Sequence, residues 1–254
     1  MSCTHHDHKV LLIAGFDPTG HAGILKDFST CLHFGVEPLS FITALTAQTD
    51  TKFLGFATQS PKHNALTWKS FVAKDIAAVK IGMLGDLATT QFVIQNLQKL
   101  KRQNKFVKIV WDPVFASSSK GTLATSASIK LAQNELLPLV DIITPNAVEA
   151  CTLLKEKFSV KLKGQDLAMR LKEKLPLHTA LYLKGGHLQT VSKDWLITNT
   201  TRLEFFGKKH KLTLRGTGCL FASAVACGLS QHLDVAKACE TAKHTVEEFF
   251  LMNS

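Results

Sequence analysis

Residues 9–28 read KVLLIAGFDPTGHAGILKDF, and the order of their parts decides the fold class. Lys9 to Gly15 is an almost unbroken apolar run, the pattern of a strand buried on both faces. A helical period follows, through GILKDFSTCLHFG at 23–35. The turn between them carries Gly15, Gly20 and Gly23. Buried strand, glycine-rich turn and helix together open a parallel α/β sheet.

The same alternation continues along the chain. LSFITALTAQ (39–48), AAVKIGM (77–83), FVKIVWD (106–112), DIITP (141–145) and TALYLKG (179–185) read as strands. Ser60 and Pro61 have the N-cap and N1 character of a helix running to about Lys74. Further helices are predicted over 87–103, 124–139, 146–158, 166–175, 219–231 and 235–252, while 191–214 alternates like antiparallel strands. A mostly parallel central sheet with helices on both faces is the predicted architecture. No linker or repeat divides it, so residues 9–254 are expected to form one domain after a flexible end at 1–8. CTHHDH at 3–8 contains metal-ligand residue types, but nothing in its pattern fixes their geometry.

Composition narrows the class. The 254 residues are 45% hydrophobic and 20% charged, with a formal charge of +10. The basic residues fall in small groups without interleaved aromatics, so solvated faces explain them better than a nucleic-acid groove. No apolar run reaches the roughly 20 residues of a membrane helix, and the first ten residues have no secretory h-region. Six scattered cysteines without a CxxC pair suggest reduced thiols and a cytoplasmic location.

In parallel sheets of this kind ligands bind beyond the carboxyl ends of the strands. The residues there are therefore candidates. The first turn is neither a P-loop nor a dinucleotide fingerprint, because His21-Ala22 and Phe16-Asp17 break both patterns. Asp27, one turn into the next helix, is expected to face the same mouth. Gln48 can pair its amide with a heterocycle, or serve as a structural hydrogen bond. Met83 is core or an apolar wall against a flat ring. Asp112 ends a strand before Pro113. Asn146 and Glu149 have capping-box spacing, and Asp112 with Glu149 could also hold Mg²⁺. Lys184 is placed to meet a phosphoryl group. Gly216-Thr217-Gly218-Cys219 opens a long apolar helix whose first N–H groups form an anion site. The thiol of Cys219 is expected to be acidified there.

Taken together, LLIAGFDPTGHAGILKD, FITALTAQT, VKIGMLGD, VWDPV, ITPNAVEA, LKGGHL, DWL and GTGC, in that order, resemble the hydroxymethylpyrimidine/phosphomethylpyrimidine kinases of the ribokinase-like superfamily. The resemblance covers nearly the whole chain. It implies a three-layer α/β/α ribokinase-like fold, usually dimeric, that uses ATP and Mg²⁺ to phosphorylate 4-amino-5-hydroxymethyl-2-methylpyrimidine and then its monophosphate for thiamine biosynthesis. It further implies that Gln48 binds the pyrimidine, that Met83 faces the ring, and that Asp27, Gly15 and Gly20 lie near the substrate. Lys184, Thr217, Asn146 and Asp112 would serve the phosphates, and Asp112 and Glu149 the metal. Gly216, Gly218 and Cys219 fall at the catalytic turn. The chain departs from the family pattern at His21, where glycine is usual, and at Arg215, where histidine is frequent.

Three rivals remain at this level. One is a pyridoxal or pyridoxine kinase of the same fold, kept open by Leu220-Phe221. Another is a cysteine-nucleophile hydrolase built on Cys219 and His187. The third, an RNA-binding module, rests on the charge alone.

Overall fold

The computed structural model describes residues 9–116, 121–186, 192–208 and 214–253. Its strands are β1 (Lys9–Phe16), β2 (Glu37–Gln48), β3 (Phe53–Thr58), β4 (Ile76–Ile81), β5 (Lys108–Trp111), β6 (Ile142–Ile143), β7 (Ala180–Leu183), β8 (Ser192–Ile197) and β9 (Arg202–Gly207). Its α-helices are α1 (Gly23–His33), α2 (Pro61–Lys69), α3 (Leu87–Gln103), α4 (Ser126–Leu131), α5 (Ala147–Leu154), α6 (Gly164–Lys174), α7 (Thr217–Ser230) and α8 (Val235–Met252).

The strands form one sheet in the order β3-β2-β1-β4-β5-β6-β7-β8-β9. Neighbours from β2 to β7 are parallel. The edges are antiparallel, β3 on β2 at one side and β8-β9 on β7 at the other. Alternate residues feed two cores, as a sheet covered on both faces requires. Leu11 and Ile13 pack with residues of α3, α5 and α6. Val10, Leu12 and Ala14 pack with residues of α1, α7 and α8.

The strand missed in the sequence is β3, a short return from β2 with Gly55 in its middle. The helix expected over 124–139 is only one turn and a half of α-helix. It passes into a π-turn at Ala132–Leu136 and a 3₁₀ turn at Leu137–Leu139, where Pro138 cannot continue an α-helical ladder. The helix expected to run to Lys74 stops at Lys69, before a separate 3₁₀ turn at Ala73–Asp75.

α1 and α7 meet along three successive turns. The Cys219 sulfur takes a hydrogen bond from the Gly23 backbone, Ser223 Oγ donates to Asp27 Oδ1 at 2.9 Å, and Cys227 lies 3.5 Å from Cys31, sulfur to sulfur. The repeat of four residues on each helix keeps these contacts on one face. This helix pair sets the distance between the two glycine-rich turns at the carboxyl edge of the sheet.

Candidate active site

Lys184 follows β7, and Asp112 follows β5. Their side chains meet across the end of β6, with Lys184 Nζ 2.8 Å from Asp112 Oδ1. Asp112 is 2% exposed and also accepts a long bond from Thr144 Oγ1 at 3.4 Å. Burial alone would lower the Lys184 pKa, but Asp112 and Glu149 hold its ammonium above the ordinary lysine value.

The N-terminus of α7 closes over this pair. Gly216 is the N-cap, in the left-handed region at φ +78°, and no side chain caps the helix. A Cβ at Gly216 would fall 1.8 Å from the His21 carbonyl oxygen, so only glycine lets the two turns touch. A Cβ at Gly218 would lie 3.2 Å from Lys184 Nζ and 3.6 Å from Asp112 Oδ2. The uncapped N–H groups of Thr217, Gly218 and Cys219, the lysine and the helix dipole therefore meet at one place, a site for a phosphate-like anion.

Asn146 and Glu149 form the expected capping box on α5. The Asn146 N–H donates to Glu149 Oε2 at 2.7 Å, and the Glu149 N–H donates to Asn146 Oδ1 at 2.9 Å. Asn146 also pairs with Lys184 as a parallel bridge, which ties the cap to the site. Burial pushes the Glu149 carboxyl up to about 7, with Lys184 opposing the rise and Asp112 adding to it. An acid raised on folding makes the folded chain hold more protons than the unfolded chain below that value. Its contribution thus favours folding on the acid side and is lost as pH climbs towards 7. In the presence of a chelator, the melting temperature of the native chain is expected to fall more between about pH 5 and about pH 8 than that of Glu149→Gln, which keeps the capping acceptor. Parallel melting curves for the two proteins would contradict this assignment.

Cys219 corrects one expectation. Its thiol is not acidified by the helix end. Burial is the largest effect and, with Asp27 and Asp112 nearby, pushes it up to about 11 despite Lys80. At neutral pH the group is a thiol. Cys219→Ala is expected to keep turnover within about 100-fold of the native enzyme, short of the 10²–10⁴ a positioned general base contributes. Complete loss with both ligands still bound would make the sulfur essential. His187, read as its partner in a hydrolase, lies outside the described residues.

Asp27 corrects another. It does not face the mouth: it is 0% exposed, and both its oxygens accept from Lys80 Nζ, at 2.8 and 2.7 Å. Burial raises its pKa against the opposing pull of Lys80. Lys80, itself 0% exposed at the penultimate position of β4, was missed in the sequence. Its signal was a lone charge inside an apolar strand run, and a charge buried there needs a partner.

The residues expected to meet a substrate ring lie at the carboxyl ends of β1, β2 and β4. A Cβ at Gly15 would come within 2.8 Å of Met83 Sδ, so the glycine makes room for the methionine. Met83 packs with Ala44, Leu123, Phe53, Phe56 and Val114 as a small apolar cluster of its own. Gly20, at φ +72°, turns the first loop and donates its N–H to the Asp17 carbonyl at 3.0 Å. Gln48 ends β2 and is hydrogen-bonded to Arg215 and Thr46. Arg215 also reaches Asp17, Thr49 and Asp50, while His21 Nδ1 lies 3.0 Å from Asp50. The two departures from the family pattern thus converge on one acidic residue.

Sheet order, the two helical layers and a glycine-rich helix start over a lysine–aspartate pair define a ribokinase-like protein. The pyridoxal kinase of Bacillus subtilis, solved as an ADP complex, shares this fold with a TM-score of 0.80 at 22% identity, over 93% of this chain and 89% of that one. The phosphomethylpyrimidine kinase family matches residues 17–253, and the chain belongs to that family. The hydroxymethylpyrimidine/phosphomethylpyrimidine kinase of Aquifex aeolicus is 35% identical over 241 residues, 94% of this chain and 92% of the relative. The crystal structure of phosphomethylpyrimidine kinase from Clostridium difficile superposes with a TM-score of 0.78 at 27% identity, over 94% of this chain and 98% of that one.

Proposed function

We propose that this chain is an ATP-dependent kinase that phosphorylates the hydroxymethyl group of 4-amino-5-hydroxymethyl-2-methylpyrimidine, then the resulting monophosphate, for thiamine biosynthesis. The observation that carries this reading is the contact of Lys184 and Asp112 with the glycine turn of α7. Phosphoryl transfer passes through a loose transition state, so a protein accelerates it chiefly by placing charge and aligning oxygens. Lys184 meets the transferring group as a point charge, while the N–H groups of Thr217 and Gly218 receive its equatorial oxygens. Gln48 and Met83 orient the ring, so that the hydroxymethyl oxygen points along the sheet edge towards α7.

Asp112 and Glu149 are the residues that would hold Mg²⁺. Two buried carboxylates beside a phosphate site suit a cation that keeps waters and takes its remaining ligands from phosphate oxygens. Among the described residues there is no group of three or more His, Cys, Asp or Glu side chains that could cage an ion alone. Bound there, Mg²⁺ would neutralise phosphate charge. The neutral Cys219 thiol orients the substrate hydroxyl.

The reading extends to a cytoplasmic homodimer built from one domain over 9–254. No helix among the described residues is long and apolar enough to cross a membrane. Leu25, Phe28 and Leu32 form an exposed apolar row on α1 that suits a subunit contact. Light scattering that returns a monomer mass would remove the dimer alone. The activity is tested by product analysis with ATP, Mg²⁺ and the hydroxymethylpyrimidine, with pyridoxal as the comparison substrate. Stepwise appearance of mono- and diphosphate is expected; phosphorylation of pyridoxal alone would overturn the substrate assignment.

A further inference from the structure

The amide of Gln48 is held at both ends. Arg215 Nη2 donates to Gln48 Oε1 at 3.1 Å, and Gln48 Nε2 donates to Thr46 Oγ1 at 3.1 Å. An amide can usually turn over in place, exchanging its oxygen and nitrogen at little steric cost. Neither neighbour permits that here. A guanidinium has donors only. The one hydroxyl hydrogen of Thr46 is committed to the Phe16 carbonyl at 2.8 Å, so Thr46 meets Gln48 as an acceptor.

Arg215 is itself fixed. Nη2 also donates to Asp17 Oδ2 at 3.1 Å, and Nη1 donates to the Thr49 carbonyl at 3.2 Å and to Asp50 Oδ1 at 3.4 Å. Asp17, 2% exposed, accepts in turn from the Thr19 N–H and hydroxyl and from the Ala22 N–H. The guanidinium is therefore anchored in the first turn and in the loop after β2, and cannot follow Gln48 if the amide rotates.

We propose that Arg215 is a specificity-determining residue for the substrate ring. Acting with Thr46, it locks the Gln48 amide so that one oxygen lone pair and one N–H remain for a ligand. That pair complements a ring nitrogen beside an exocyclic amine: the amine donates to Oε1, and the ring nitrogen accepts from Nε2. A ring with the reversed pattern, an N–H beside a carbonyl, sets donor against donor and acceptor against acceptor. Turning the amide to suit it would face the Arg215 donor with an N–H and deprive Thr46 of its donor, leaving polar groups unpaired. The proposal rests on the kinase reading above and names the residues that choose its substrate.

The test compares the 4-aminopyrimidine substrate with its 4-oxo analogue, which carries the reversed pattern. Both kcat/KM and direct binding by calorimetry without ATP are measured. The native enzyme is expected to favour the amino compound by roughly 100-fold or more. In Arg215→Ala and in Thr46→Val, which open the lock from opposite ends, that preference is expected to fall by roughly tenfold, through KM, with the KM for ATP unchanged. If circular dichroism shows one variant misfolded, the other decides. Undiminished preference in a folded variant overturns the role of Arg215 and leaves the kinase reading standing. A native enzyme that phosphorylates neither pyrimidine overturns the kinase reading, and this proposal with it.

Discussion

Replacing Lys184 with alanine is expected to lower kcat by roughly 10³-fold, about 4 kcal/mol of transition-state stabilisation. Its ammonium is bonded to Asp112, 2.8 Å from the carboxylate, and it stands against the N-terminal turn of α7. In a loose transition state charge is spread over the equatorial oxygens of the transferring group, and a cation fixed beforehand beside them stabilises that arrangement without reorganising. The variant should therefore lose kcat more than affinity for the pyrimidine, whose proposed ring contacts are Gln48 and Met83. Steady-state kinetics with ATP varied and pyrimidine saturating would show it. Turnover within a few-fold of the native enzyme would remove Lys184 from the chemistry.

Gly218→Val is expected to abolish turnover to within the background of the assay, a loss of at least about 10², while leaving the melting temperature close to native. The two glycines of the turn differ here. A Cβ at Gly216 strikes the His21 carbonyl at 1.8 Å, and its φ of +78° disfavours any other residue, so a substitution there disrupts the fold. At Gly218 the nearest atoms are Lys184 Nζ and the Asp112 carboxylate, at 3.2 and 3.6 Å. A methyl at that spot is tight but tolerable, whereas the branches of valine must occupy the space in which an anion meets the lysine. Thermal denaturation alongside kinetics separates the cases: equal damage to stability and turnover would make Gly218 a packing glycine like Gly216.

Much of this architecture was legible because it is written in short-range patterns. β1, α3 and α8 declare themselves by their apolar pattern, and α3 and α8 have the bounds the sequence predicts. Asn146 and Glu149 could be paired on spacing alone, since the capping box is local. Long-range pairing was not legible. Arg215 meets Gln48 across 167 residues and Asp17 across 198, and no periodicity encodes such a contact. Lys80 and Asp27 were separated in the same way. Asp27 looked like a surface group at the site because its partner lay 53 residues away, inside a strand run that otherwise reads as core. The Cys219 thiol was misjudged for a related reason: the helix end acts locally, but the burial and carboxylates that oppose it come from elsewhere in the chain.

The Lys80–Asp27 pair has a consequence for how this sequence can drift. Losing either member alone strands a charge in the interior, at a cost of about 3–5 kcal/mol, whereas exchanging both for apolar residues of similar size can be close to neutral. Neighbouring sequences are therefore split into those that keep both residues and those that have neither, with an unfavourable step on every single-substitution path between them. Ser223, which donates to the same carboxylate, is tied to that choice. In a lineage of this chain, positions 27, 80 and 223 should change together or remain as they are.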